Sequence, residues 1–537
     1  MSAHLIRFGA FEIDQYSGEL RKHGRRLRLS AQPFEILLLL LQRRPGRVVT
    51  RDELRAKLWS ANTFVDFDHG LNAAINKLRE TLGDSASKPR FIETVPGRGY
   101  RFIGSLEKRK LMIAVLPFEN LDGDPEQDYF SDGLTEEMIT HLGRLHPERL
   151  GTIARTSVMP YKKTHKRLGQ IATELGVDYI LEGSVRKSGH RLRVAAQLID
   201  TSDETHLWAE TYEHHLRNVL TLQNSIAQAI ATQIQLKLTP EKKERLASPS
   251  LIVPAAHDAY LRGLYQLRKL TREGAEKAVT YFEEAIQKGS NYALAYAGLA
   301  RSHLALTTFY VAPLEGMPKV QAASMKAIEL DDSLAEAHAS LGLVKFFYDW
   351  DWDSSEKEFK RALSLNPNLA EAHAGYAGLL IARGSRDEAF RETKKALELD
   401  PVPVASRGEY LWQFYVFRQY GEAVRQCQRA IDLEPNFFLA HTVMGWALAE
   451  QGRFSEAVAR AEAGRQLSGS PFALAGLGYI YAKSGDKDKA AGILGELAEL
   501  SKHRYVCSYS SAAIYGALGE KEQATDWLER AYGERSD

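Results

Sequence analysis

Leu71, Ile75, Leu78 and Leu82 recur at i, i+4, i+7 and i+11, the spacing of one face of an α-helix. The opposite face of that segment, "HGLNAAINKLRETLGD", carries His69, Asn72, Ala73, Asn76 and Lys77, with Arg79 on the flank. Earlier in the chain the apolar period is two. "LIRFGAFEID" and "ELRKHGRRLRLS" alternate as strands broken by Gly9 and Gly24. "SAQPFEILLLLLQRRPG" then predicts a helix, with Ser30 or Gln32 as cap, Pro33 in the first turn and Gly46 as stop. "TRDELRAKLW" predicts a second helix opened by a Thr50–Glu53 capping box, in which each residue satisfies an orphan amide of the other's end. After the polar-faced helix, "IETVPGRGYRF" reads as two short β-runs pinched by Pro96-Gly97 and Gly99, with Arg98 at the tip and Arg101 just past it. Helix, helix, polar-faced helix, hairpin is the order of a winged helix.

The pattern changes again after a charged junction at Glu107–Lys110. Met112–Phe118 is a buried-strand run. Ser131-Asp132 with Glu136 or Glu137 looks like a helix start, and that helix runs to about Leu145. A further helix and two alternating strands follow, joined by a turn at Lys187–His190, and a long helix over Val219–Leu238 leads out. Strands mixed with helices predict an α/β domain. The Asp-rich loop "LDGDPEQD" lacks the spacing of a calcium loop and reads as a solvated turn. His214-His215 diverge on a helix or a strand and make no metal pair.

The second half repeats. Small residues recur at Ala285, Ala327, Ala362, Ala396, Ala430, Gly464, Ala498 and Ala531, spaced 42, 35, 34, 34, 34, 34 and 33 residues apart. Pro367, Pro401 and Pro435 each follow the helix that carries the small residue. A 34-residue helical period is that of the tetratricopeptide repeat, and it predicts a solenoid with a concave groove for a protein or peptide partner. "FFYDWDWDSSEKEF" reads as packing near the one-residue insertion. Gly476-x-Gly478 lies within a repeat helix, so it is no dinucleotide loop.

Charge changes the picture only locally. The whole chain has 70 Lys+Arg against 69 Asp+Glu, but residues 1–107 hold 18 against 12. A basic segment on a neutral chain points to a polyanionic partner at one end. The longest apolar runs, Ile36–Leu41 and Leu111–Phe118, fall short of the ~20 residues that cross a bilayer, so no membrane span is expected. Two cysteines, Cys427 and Cys507, give neither a disulfide framework nor metal-ligand spacing. No nucleophile elbow, phosphate loop, H-E-x-x-H or zinc quartet occurs, so catalytic, cofactor-binding and metal residues are all read as none.

Asn and Lys on a helix that fits the major groove can pair with base edges, and an arginine on a narrow wing can enter the minor groove. Through "RVVTRDELRAKLW", "INKLRETLGD" and "IETVPGRGYRF", residues 5 to 106 resemble the output domain of OmpR/PhoB-type response regulators. The resemblance implies a major-groove helix over Asn72–Leu82, basic contacts at Lys77 and Arg79, and a wing arginine at Arg101. Ala73, Ala74 and Asn76 depart from the basic or histidine residues of many relatives, so the target sequence stays open. "IAVLPFENL", "YFSDGLTEEMITHL" and "VDYILEGSVRKSG" resemble a domain that accompanies repeat arrays in cyclase-like and CadC-like regulators, distantly similar to the TolB amino-terminal domain. CadC-like relatives carry a transmembrane helix where this chain has "SLEKRKLMIAV", which implies a cytoplasmic location and signal. Only four residues precede the first strand, so no receiver domain is expected ahead of it.

The expected architecture is multidomain: a winged helix-turn-helix over 1–107, an α/β domain over 108–240 and an all-α solenoid of about eight repeats over 255–537. The expected function is that of a one-component transcription regulator. Asn72, Ala73, Asn76, Lys77, Arg79, Arg98 and Arg101 would contact double-stranded DNA, tandem or dimeric binding being compatible with the likeness, and the array would take a protein partner. The alternative is a repeat scaffold or adaptor whose winged helix makes protein contacts. Removing 255–537 is expected to leave the DNA motif intact and to abolish signal-dependent regulation.

Overall fold

The computed structural model describes residues 5–14, 18–22, 25–42, 47–58, 67–104, 110–189, 191–236, 238, 253–269, 271–401 and 404–536. Two compact units organise it, one over Met1–Leu111 with Gly176–Asp178 and one over Met112–Leu175 and Tyr179–Asp537.

In the first unit, β1 (Leu5–Phe8), β2 (Phe11–Asp14), β3 (Glu19–Lys22) and β4 (Arg25–Leu27) form an antiparallel meander in chain order. Then come α1 (Ala31–Gln42), β5 (Val49–Thr50), α2 (Arg51–Leu58), α3 (Phe67–Leu82), β6 (Ile92–Val95) and β7 (Gly99–Phe102). The Ser30 carbonyl accepts from Phe34 N–H at 3.2 Å, so Ser30 opens α1; Gly24 and Gly46 lie outside the described residues. The capping box forms: Glu53 N–H donates to Thr50 Oγ1 at 3.1 Å, and Thr50 N–H donates to Glu53 Oε2 at 2.8 Å. One core joins the elements. Ile36, Leu37 and Leu40 of α1, Leu54 of α2 and the Leu71–Ile75–Leu78–Leu82 stripe of α3 are buried together. Phe8, Phe11 and Phe102 seal the other side, with Phe8 edge-on to Phe102 at 5.1 Å.

The second unit begins with a mixed sheet of β8 (Leu111–Val115), β9 (Glu119–Asn120), β10 (Leu150–Thr152), β11 (Tyr179–Ser188), β12 (Arg191–Asp200) and β13 (Thr205–His215). Its order is β10-β8-β11-β12-β13, with β9 beside β11; β8 is parallel to β11, and β11, β12 and β13 are antiparallel. Two expectations are corrected here. A third long strand, β13, follows the two that alternate; it is an edge strand in which only Trp208 is buried, so it carries no clean period. Helix α4 runs over Asp128–Leu145, so Ser131, Asp132, Glu136 and Glu137 lie inside it. The helix over Val219–Gln233 (α7, after α5 at Arg155–Val158 and α6 at Leu168–Leu175) buries Leu222, Ile226 and Ile230 in this domain. In the Asp-rich loop Asp122 accepts the Lys187 backbone N–H at 2.8 Å, and Asp128 pairs with Lys162 at 3.0 Å.

Sixteen helices follow among the described residues, from Pro254–Leu267 to Lys521–Glu534, in eight successive pairs. The small residues sit in the second helix of each pair, where a second backbone passes close. Ala285, Ala327 and Ala362 are wholly buried. Ala498 is the exception: it is exposed, and Leu497 takes the buried position. The 42-residue spacing comes from the longer second pair, Ala293–Phe309 and Pro313–Leu330. Gly476 touches Trp446 and Gly478 touches Ile493 and Ile514 at distances a side chain would violate, which is packing rather than ligand binding. Trp350 in the inserted turn stacks on Tyr532 at 4.9 Å and under Arg535 at 4.2 Å.

The array does not stand apart from the mixed domain. Helix α4 lies lengthwise on the face made by the first helices of pairs one to four. Near its start Tyr129 donates to Asp258 at 2.5 Å, and Gly133 packs against Leu261. Midway, Glu136 accepts from Arg268 Nε at 3.0 Å and lies 3.5 Å from Arg301. Near its end Arg144 meets Glu336 at 2.6 Å, and Asn368 donates to the carbonyls of Gly143 and Leu150, both at 2.9 Å. Beyond it, Thr156 and Ser157 donate to Asp400 at 2.5 and 2.6 Å.

Candidate nucleic-acid interface

The exposed stripe of α3 is built by what its other face must bury. With Leu71, Ile75, Leu78 and Leu82 inward, Asn72, Ala73, Asn76, Lys77 and Glu80 point outward. Lys77 pairs with Glu80 at 2.9 Å, but both side chains are more than half exposed, and such a pair holds by less than about 1 kcal/mol. Lys77 can exchange that partner for another anion at small cost.

Asn72 is oriented from behind. Arg51, the first residue of α2, places Nη1 2.6 Å from Asp68 Oδ1 and Nη2 3.2 Å from Asn72 Oδ1. The Tyr100 hydroxyl donates to the same Asn72 oxygen at 2.9 Å, leaving the amide nitrogen as the outward group. Arg55 lies over the Phe67 ring at 3.9 Å, a cation–π contact that fastens α2 to the start of α3. Arg51, Arg55 and Tyr100 are supporting residues that the motif spacing does not point to.

Arg79 departs from its expected place on the flank. It is 6% exposed, and its Nη2 donates to the Ile92 carbonyl and to Thr94 Oγ1, both at 2.9 Å. The side chain ties α3 to β6, and the reason is geometric: position 79 stands four after Ile75 and three before Leu82, on the buried face. Its guanidinium is therefore committed to the hairpin and gives α3 no outward cation.

The hairpin is set by a few backbone requirements. Helix α3 closes with Asp84 N–H to the Arg79 carbonyl at 2.9 Å and Gly83 N–H to the Glu80 carbonyl at 3.2 Å, with Gly83 at φ +64°. Asp84 then accepts the N–H groups of Ser85, Arg90, Phe91 and Ile92 at 2.7–3.1 Å. Burial opposes its charge, but those four donors together hold its pKa below the usual carboxylate range. At the tip, Arg98 N–H donates to the Val95 carbonyl at 3.0 Å around Pro96 and Gly97, the latter at φ +69°, as in a type II turn. A side chain at Gly99 would fall 2.1 Å from the Val49 carbonyl oxygen, so only glycine lets β7 reach β5. Arg98 is exposed at the turn. Arg101 is half-buried and hydrogen-bonds Glu93 on the paired strand, which raises its pKa and lowers that of Glu93. The hairpin thus presents one uncommitted arginine at the tip and one held flat along its side.

The mixed domain has a different electrostatic character. Burial alone would raise Glu136, but Arg268, Arg155 and Arg301 bring its pKa down to about 2. Next to it, burial and the Glu136 charge push Glu137 up to about 8. Glu137 accepts from Gln223 at 2.6 Å and lies 3.6 Å from His257 Nε2, and burial lowers His257 to about 4. Cys427 is buried in the array with its thiol pushed up to about 12 by burial, so it is unreactive at neutral pH. No helix among the described residues is long and apolar enough to cross a membrane.

Residues 24–102 match the family described as transcriptional regulatory protein, C terminal. Residues 108–229 match the HilA/YgeH-like transcriptional regulator, second domain. The transcriptional regulator HilA of Salmonella paratyphi A is 23% identical over 387 residues, 70% of this chain and 67% of that protein. The cholera toxin homolog transcriptional activator of Vibrio parahaemolyticus is 42% identical over 82 residues, 15% of this chain and 28% of its own. A putative adenylate cyclase 3 of Rhizobium meliloti is 35% identical over 239 residues, 44% of this chain; the match spans only 40% of the cyclase.

Proposed function

We propose that the chain is a DNA-binding transcription regulator whose first domain reads duplex DNA and whose repeat array takes a protein partner. The observation that carries this is the outward stripe of Asn72, Ala73, Asn76 and Lys77 on α3, beside a hairpin that offers Arg98 and Arg101. The major groove accepts one helix, where Asn and Lys pair with base edges; the hairpin arginines suit the narrow, negative minor groove or its phosphates. Ala73 offers a methyl contact, and Arg79 acts as a positioning residue that fixes α3 against the hairpin. The named relatives HilA and the Vibrio activator support the regulatory role, which the chain would perform in the compartment that holds the DNA.

The likeness to a cyclase is read as a shared accessory region, since no catalytic motif occurs in this sequence and the match leaves most of the cyclase unaccounted for. On this reading the modules are 1–107 for DNA, 108–240 as the domain seated on the array, and 255–537 as the array itself.

Binding-site selection with the full chain, followed by mobility shifts at several salt concentrations, tests the proposal. Log affinity should fall with log salt by about 0.9 per phosphate neutralised. Lys77→Ala should relax preference at one base position by about 1–3 kcal/mol, while Arg98→Ala should weaken all sequences evenly and lower the salt slope by about one. A folded chain that selects no sequence, or Lys77→Ala and Arg98→Ala variants that bind as the parent does, would refute it.

A further inference from the structure

The face made by the first helices of the array is divided in two. Over pairs one to four it carries charge, with Arg268, Arg301 and Glu336 each answered by a residue of α4. Over pairs five to eight, with first helices Val404–Val416, Phe438–Glu450, Pro471–Ser484 and Ser508–Leu518, the outward residues of the same face are aromatic. Trp412 packs against Tyr415 and Trp446, each at 5.3 Å, and Trp446 against Phe472 at 5.3 Å. Tyr479 stands on the first helix of pair seven, where it donates to Glu450 at 2.8 Å, and Tyr509 is exposed on the first helix of pair eight. Trp412 is 37% exposed, Phe472 47% and Tyr509 52%. Trp446, buried at 8%, joins the exposed rings of Trp412 and Phe472 into one patch. Exposed apolar patches mark interaction surfaces, and Trp and Tyr dominate the residues that carry binding energy. Trp446 is pinned from below by Gly476.

We propose that this aromatic stretch binds an amphipathic helix of a partner protein, laid lengthwise with its aliphatic side on the rings. The proposal rests on the reading of the array as a partner-binding module and names the kind of partner. Its occupant is argued from continuity. The same row of first helices, one pair earlier, already holds a helix lengthwise, since α4 passes from Asp258 near its start to Asn368 near its end. The row of first helices that seats α4 continues into a surface of different chemistry. Among the described residues the carboxylate beside the rings is matched within the chain: Glu450 accepts from Lys483 at 2.6 Å and from Tyr479 at 2.8 Å. A partner helix need bring no charge to answer Glu450. A nucleic acid strand also stacks on aromatics, but it needs a cationic groove to hold its backbone.

The test uses the full chain and a displayed peptide library with two arms, one of amphipathic helix formers bearing Leu and Met at i, i+3, i+4 and i+7, one proline-rich. A 20-nucleotide single strand is assayed beside it. Helix-arm peptides should be enriched, should quench tryptophan emission saturably, and should bind at least tenfold more weakly to Trp412→Ala and to Phe472→Ala. Tyr509→Ala provides a third exposed site, and Trp527→Phe, in the last helix, should bind as the parent does. Enrichment of the proline-rich arm, binding of the single strand in place of peptides, or no helix-arm peptide dependent on Trp412 and Phe472 overturns the proposal. Mobility shifts with duplex DNA on the same variants keep the two readings separate. Variants that lose the peptide and keep the DNA support this site, whereas a chain that selects helices and shifts no duplex DNA refutes only the DNA reading.

Discussion

Glu137→Gln should stabilise the contact between the mixed domain and the array, although it removes a carboxylate from a salt-bridge-rich interface. Glu137 is 9% exposed, beside a charged Glu136 and a His257 that burial keeps neutral. Burial and Glu136 raise its pKa from 4.5 to about 8. The folded state therefore binds a proton that the unfolded chain has released, across the whole window from about pH 4.5 to 8. Stability contributed by a raised pKa is complete below the unfolded value and is lost as pH rises through the folded one. At about 1.4 kcal/mol per unit, the loss reaches about 3 kcal/mol by pH 7, and relaxation around the site reduces what is observed. Glutamine keeps the acceptor for Gln223 and carries no charge, so the variant should gain about 1–3 kcal/mol at pH 7 to 8.

Urea unfolding of the full chain at pH 5, 7 and 8.5 reads the effect, with amide exchange over 128–145 and 254–267 to localise it. The parent should lose protection there as pH rises, and the variant should lose less. A Glu137→Gln chain that is no more stable than the parent at pH 8.5, or that keeps the parent's slope, would show that Glu137 is ionised and paired in the folded protein.

Glu136→Gln should act in the opposite sense, costing about 3–5 kcal/mol at neutral pH because three guanidiniums lose their common partner; its contribution should fade only as pH falls from about 4.5 towards 2, seen in the same urea series. Arg79→Met should lower the thermal stability of the first domain by about 1–3 kcal/mol, through the unpaired Ile92 carbonyl and Thr94 hydroxyl, while leaving the selected DNA sequence unchanged. A changed sequence preference would return Arg79 to the reading surface. Gly99→Ala should cost about 2 kcal/mol or more, since the new methyl meets the Val49 carbonyl oxygen rather than a movable side chain; unaltered amide exchange in the hairpin would refute that account.

Local order was legible wherever burial imposes a period. The α3 stripe, the Thr50–Glu53 box and the Pro96-Gly97 turn all follow from nearest-neighbour chemistry. The eight helix pairs were legible because all but the seventh repeat the same demand for a small residue at the crossing, Leu497 taking the buried position there in place of Ala498. Arg79 was misplaced although the period itself puts position 79 inward; its charge suggested solvent, and its partners on β6 lie 13 and 15 residues away. Asn72 was found as a candidate, but not the Arg51 and Tyr100 contacts that fix its oxygen, since nothing in the spacing joins residues 21 and 28 positions apart. β13 was missed because an edge strand with one buried side chain has no alternation to read. Glu136 and Glu137 looked like the acidic first turn of a helix. Their true environment depends on Arg268, Arg301 and His257, more than a hundred residues on, and no local pattern carries that.

The seating of α4 changes how the array can act. In a solenoid most contacts join neighbouring pairs, so a disturbance passes along the stack through successive interfaces, and here Trp350 on Tyr532 also joins the third pair to the eighth. The mixed domain reaches the end of the fourth pair, where Asp400 holds Thr156 and Ser157, and the aromatic stretch starts on the fifth. A helix bound across pairs five to eight would bear on the very pair that anchors the mixed domain's far edge, with no contact to that domain needed. Deleting 255–537 is then no clean removal of a sensor. It strips Glu136 of Arg268 and Arg301, leaving Arg155 at 3.6 Å, strips Arg144 of Glu336, and uncovers the face of α4 that the array packs against. Lost regulation in such a truncation would follow whether or not a partner exists. Substitutions confined to the exposed rings of Trp412, Phe472 and Tyr509 leave every α4 contact in place, so they alone separate partner binding from the integrity of the domain that rests beside it.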